Sequence, residues 1–134
     1  GEGMAEPLLG PAWREMLGGL SQRRVELLAR AVRDNLADCL STLPALTGRS
    51  AGPSIHFYFA NFDGLRRSLF PRLAAAYAAW RRTDDDADLR LAFRDGQTHW
   101  REAALRLLAT WQNDPDAAEN TFSGWVDEHG ALML

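Results

Sequence analysis

From Leu89 to Gly130 the chain spells out two amphipathic helices together with their boundaries, and no other stretch limits the fold so strongly. Gly96 reads as the close of one helix and Thr98 as the cap of the next, whose apolar stripe is Trp100, Leu107, Leu108 and Trp111. Asp114-Pro115 restarts the chain after Asn113, and Gly130 stops it just after His129. Phe122, Trp125 and Val126 form the second stripe. Large aromatics on two adjacent helices build a core, a groove or both. Trp100, Trp111, Phe122 and Trp125 are expected to join the pair, with Arg94 and Arg101 near its exposed end.

The first half carries an equally clear pattern. Val25, Leu28, Ala29, Val32, Leu36, Cys39, Leu40 and Leu43 recur at steps of three and four, which predicts one helix from Ser21 to Leu43. Ser21 is placed to cap it, and Pro44 to end it. A shorter helix is predicted over Pro11 to Leu17, with Trp13, Met16 and Leu17 on one side and Gly18-Gly19 at its end. Thr47 to Pro53 reads as the flexible connection. Ile55 to Phe62 is rich in aromatic and β-branched residues, yet no partner strand is in evidence, so it reads as a short buried helix. Asp63-Gly64 punctuates. Leu65, Leu69, Phe70, Leu73, Tyr77 and Trp80 then mark a helix to about Arg82, kinked or split at Pro71. The acidic turn Thr83 to Asp88 leads into a short helix ending near Asp95.

These segments predict an all-α fold, a compact single-domain bundle of six or seven short-to-medium helices over residues 1–134, with one helix central and surrounded. Residues 1–10 are expected to be flexible, and Gly1-Glu2-Gly3 ahead of Met4 reads as a remnant of expression. A chain of 134 residues, 46% hydrophobic and 25% charged, is an ordinary globular composition. It contains no apolar run of about 18 residues and no charged-then-apolar leader. Its one cysteine, Cys39, excludes an internal disulfide and points to an intracellular, cytoplasmic setting.

Charge argues against nucleic acid. The net charge is −3, and although Arg66, Arg67, Arg72, Arg81 and Arg82 cluster mid-chain, Asp84, Asp85, Asp86 and Asp88 follow at once. Tyr77 and Trp80 could stack on bases, but both fit the stripe of their own helix. All 15 basic residues are arginine, as a GC-rich coding sequence would give.

No catalytic constellation is evident. His56, His99 and His129 lack metal-type spacing, and the helix dipole accounts for His129 at a helix end. Asp84, Asp86 and Asp88 alternate like the first ligands of a calcium loop, but Leu89 stands where the turn glycine belongs and Asp95 where the closing glutamate does. Cys39 lies on an apolar stripe, as a small hydrophobe does. There is no nucleophile elbow, phosphate loop or dinucleotide fingerprint. Neither an enzyme nor a cofactor or metal is expected.

Phe93-Arg94-Asp95-Gly96 followed by Trp100 resembles the BH1 segment of the Bcl-2 family, all-α regulators of cell death, and Trp125-Val126-Asp127-Glu128-His129-Gly130 is similar to their BH2 segment. The resemblance covers about sixteen residues and implies a hydrophobic groove that accepts a partner's amphipathic helix. Arg101 would be the arginine that meets the ligand's aspartate, although it follows Trp100 with no intervening glycine. The same stretch is similar to the last two helices of globins, with Ala92 at the place of the proximal histidine.

The leading expectation is a non-enzymatic helical interaction or regulatory domain that binds another protein's helix, or itself as a homodimer, through an apolar surface rimmed by Trp and Arg. Arg94, Trp100, Arg101 and Trp125 are the candidate contacts, with Trp13 the tryptophan expected to be exposed. The alternatives are a divergent Bcl-2-like regulator and a helical sensor for a small apolar ligand or cofactor, with His56, Tyr58 and Trp80 lining its pocket.

Overall fold

The computed structural model describes residues 2–46 and 52–134; for residues 2–9 and for His129 the description is of the backbone alone. Among these residues the chain is all α: α1 (Glu2–Gly19), α2 (Arg23–Ala37), α3 (Gly52–Ala60), α4 (Gly64–Leu69), α5 (Pro71–Thr83), α6 (Ala87–Asn113) and α7 (Pro115–Asp127). The central helix is α6, packed by α1, α2, α5 and α7. No described helix is long and apolar enough to cross a membrane.

The largest departure from expectation is α6. Gly96 does not end a helix and Thr98 does not cap one; a single helix of 27 residues runs through both. Gly96 is there for want of a side chain. A Cβ at this position would stand 2.5 Å from Cys39 Sγ and 2.9 Å from Phe70 Cζ, closer than packed atoms sit. The residue marks where α6 meets α2 and the α4–α5 junction.

Its partner surface is equally irregular. The stripe expected to end at Leu43 continues beyond Pro44: α2 passes into a π-turn, Asp38–Thr42, and a last turn, Leu43–Ala45. In a π-turn an N–H bonds to the carbonyl five residues back, as Leu43 N–H does to Asp38 O. The next such bond would run from Pro44 to Cys39, and proline has no N–H to give. Gln97 supplies the missing donor, its Nε2 bonding Cys39 O at 2.9 Å. The π-turn, the proline and the Gly96–Gln97 pair therefore form one joint.

The helix ends are set by tertiary contacts as well as by local signals. Asp114 caps α7 as a local signal should, its side chain accepting from Ala117 N–H at 3.2 Å. Ser21 does not cap α2. Glu119, on α7, takes over: its carboxylate accepts from Ser21 N–H (2.8 Å), Gln22 N–H (2.5 Å) and Ser21 O–H (2.9 Å). Arg24 extends this seam to Ser123 O and the Asp127 carboxylate. Partial burial opposes ionisation of Glu119, but the bonds from Gln22 and Ser21 outweigh it and hold the carboxyl below the ordinary range.

Pro71 splits α4 from α5, as its sequence position indicated, with Phe70 (φ −130°, ψ 56°) between them. The chain's last residues seal that break. Leu134 N–H donates to Leu69 O at 2.9 Å, and Leu134 O accepts from Arg72 N–H at 3.1 Å. His99 Nε2–H donates to Leu132 O at 2.6 Å from the middle of α6. At the other end, α1 starts before the expected Pro11 and is broken at Gly10, whose φ of 42° suits only glycine. It ends at Gly19, where a Cβ would stand 2.4 Å from the Trp111 ring. The expected connection Thr47–Pro53 lies mostly outside the described residues; Gly52 and Pro53 open α3.

Two glycines of α1 and α6 separate propensity from packing. Gly18→Ala, with nothing within 4 Å of its Cβ, raises stability by up to about 1 kcal/mol, whereas Gly96→Ala lowers it by about 1–3 kcal/mol. Thermal melts of both variants check this, and equal gains would refute the packing argument. Glu119→Gln lowers stability by about 1 kcal/mol at pH 7. Because the native carboxyl titrates below the unfolded one, its contribution is complete above the ordinary glutamate value and vanishes as pH falls through the native value. Urea midpoints of wild type and variant should converge in acid.

Candidate functional site

The last turns of α2 and the outer side of α3 enclose an apolar groove of about 540 Å³, open to solvent along one side. Thr42 and Leu46 form one wall, Pro53, Ser54, Phe57 and Tyr58 the other, and Asn61 and Arg66 close one end. The π-turn shapes the first wall. On the second, Ile55 and Phe59 anchor α3 inward, while Phe57 projects with 74% of its surface exposed. A phenylalanine that free sits at the rim of an apolar depression.

Beneath the groove lies a polar floor. Asp38, the first residue of the π-turn, accepts from Tyr58 O–H at 2.7 Å and from Arg66 Nη1 at 3.1 Å. Arg66 also donates from Nη2 to Asn61 O at 2.9 Å and lies over the Phe62 ring at 5.7 Å. Asn35 donates to Arg66 O at 3.3 Å, while its own Oδ1 is buried without a partner. Burial pushes the Asp38 carboxyl up, against the opposing pull of Tyr58 and Arg66. Burial and the Asp38 charge push the Tyr58 hydroxyl up as well, and they do the same to the Cys39 thiol. Cys39 is therefore a buried thiol packed on Gly96, without the character of a nucleophile. Among the described residues no three His, Cys, Asp or Glu side chains are grouped to hold a metal.

The expected pocket of His56, Tyr58 and Trp80 is not a single place. Residues 56 and 58 are about 200° apart around a helix, so they leave α3 on different sides. Tyr58 faces the groove. His56 is exposed and turned toward α5, with Nδ1 2.7 Å from Tyr77 Oη and its ring 5.1 Å from that of Trp80. Tyr77 in turn stacks on Phe59 at 4.0 Å.

The expected contact residues also separate. Trp13 is fully buried, because α1 is longer than its pattern suggested and packs on both α2 and α6. Trp100 is fully buried and lies against Phe70 and His99 at 5.4 and 4.6 Å. Trp125 is half-buried beside Phe122, under the Arg106 guanidinium at 4.4 Å. Arg94 and Arg101 are exposed on the outer face of α6. The two segments that resemble BH1 and BH2 thus bury their tryptophans in or against the core. Sequence reasoning missed Asp38 and Arg66, since one resembled a solvated face and the other a member of a basic run. The available signal was Pro44, set five residues after Cys39.

No curated protein and no solved structure matches the chain. Residues 1–129 match the model of a family of unknown function, DUF6866, over its C-terminal domain. The all-α chain with a π-turn at its centre belongs to the DUF6866 family, as an instance of that C-terminal domain.

Proposed function

We propose that this domain is a non-enzymatic interaction module, and that the groove between the π-turn and α3 receives an amphipathic helix of a partner protein. One observation carries the reading: Phe57 stands 74% exposed at the rim of an open apolar groove, on a helix whose other large side chains are anchored. An exposed aromatic beside a concave apolar surface is the usual form of an interface anchor. The groove's openness favours a macromolecular occupant, because small-molecule sites enclose most of the ligand. The polar floor suits binding more than chemistry. Asp38 is taken up by Tyr58 and Arg66, and Tyr58 and Cys39 are held in their protonated forms. An intracellular setting fits a lone reduced thiol.

The test is photo-crosslinking in extract of the protein's native cells, with a photoreactive residue at Pro53 on the groove wall. The expected product is a crosslink to one protein, mapped to an amphipathic helical peptide. Phe57→Asp should weaken capture at least ten-fold, as loss of an anchor does, with a melting temperature near wild type. Leu46→Asp should weaken it likewise, its fold checked by circular dichroism because Leu46 also packs on the core. Capture that survives both substitutions would refute the reading. So would an apolar small molecule retained in native mass spectra and lost on Leu46→Asp.

A further inference from the structure

The outer face of α6 carries a second pattern, remote from the groove. Leu91, Thr98 and Leu105 repeat every seven residues, and both leucines are exposed, at 44% and 48%. Arg94 and Arg101 flank this line on one side, Asp95 and Glu102 on the other. At about 100° per residue, all seven positions fall within roughly 60° of Thr98. The stripe runs about 21 Å along the helix. Arg94, Arg101 and Glu102 have no ion-pair partner among the described residues; Asp95 meets Arg72 at 2.8 Å.

We infer that this face binds a second copy of the chain, with the two α6 helices side by side and parallel about a two-fold axis along their length. The charge arrangement selects both the partner and the direction. In a parallel pair the two-fold sets the basic flank of one helix beside the acidic flank of the other, so Arg94 meets Asp95 and Arg101 meets Glu102 of the second copy. Leu91, Thr98 and Leu105 each face their own equivalent along the seam. An antiparallel pair would instead set Arg94 beside Arg101 and Asp95 beside Glu102, which like charges oppose. Alternate readings of an exposed helix, solvation or an unrelated partner, do not require the two flanks to carry opposite charge on either side of an apolar line. One helix face of this length buries less than the roughly 1,200 Å² of a stable interface, so the dimer is weak, with a dissociation constant on the order of 100 µM.

Sedimentation equilibrium of the intact chain up to about 1 mM tests the proposal, with circular dichroism confirming that every variant is folded. Wild type should dimerise reversibly, and Leu91→Asp or Leu105→Asp should weaken dimerisation at least ten-fold. Arg101→Glu and Glu102→Arg each place like charges across the seam, so each should weaken self-association by about three- to ten-fold. An equimolar mixture of these two should recover a heterodimer of near wild-type strength. Three results would overturn the proposal: a monomer throughout, indifference to both leucines, or tighter association by Arg101→Glu alone, which is the mark of an antiparallel pair. None of these readouts involves Phe57 or the groove, so the two proposals fail separately.

Discussion

Proline has no N–H, and much of this fold is arranged around that absence at Pro44. Helical backbone continues through the residue by widening into the π-turn, which leaves Cys39 O as the carbonyl with no donor. A buried carbonyl without a partner costs about 1–3 kcal/mol, so a donor must be brought from elsewhere. Gln97 provides it, and can do so only if α6 comes close. Gly96, one residue earlier, permits that approach to Cys39 and Phe70. Position 96 is thus fixed by the chemistry of position 44, across the helix–helix interface.

The same joint supplies the floor of the groove. Asp38 begins the π-turn, and a carboxylate so largely withdrawn from solvent is stable there when its charge is met. Tyr58 reaches it from α3 and Arg66 from α4, so two short helices are tied to α2 through one acidic side chain. A file of rings completes the attachment of α3: Tyr77 on Phe59 at 4.0 Å, Phe59 on Phe62 at 5.7 Å, Phe62 on Phe70 at 6.5 Å, and Phe70 on Trp100 at 5.4 Å. This places Phe57, which takes no part in the file, at the free side of an otherwise pinned helix.

Where a signal was local, it was legible. The stripe from Val25 to Leu43, the break at Pro71 and the restart at Asp114-Pro115 all stand in the structure, because each depends on residues within a turn or two. Gly96 was misread for the opposite reason. A glycine within a helical pattern signals a stop by propensity, and only the distant Cys39 and Phe70 turn it into a contact. Ser21 was misread likewise, since the better acceptor for that helix end is carried on α7. Trp13 reads as exposed only if its helix is short, and the extra turns of α1 bury it. The groove was the least legible feature: its walls come from two segments, and its polar floor joins three residues that no sequence window holds together.

The reach of Glu119 has a consequence for how the chain acquires its shape. Ser21 and the carboxylate that holds its N–H are 98 residues apart. On a ribosome adding about 5–20 residues per second, the start of α2 waits roughly 5–20 s, plus exit-tunnel transit, for that carboxylate to emerge. Through that interval α2 has no side-chain cap at all. The part of the α2 stripe that α6 covers is likewise bare until α6 has been made. Closure of the seam between α2 and α7 therefore waits until α7 has been made, whatever the order in which the other helices meet.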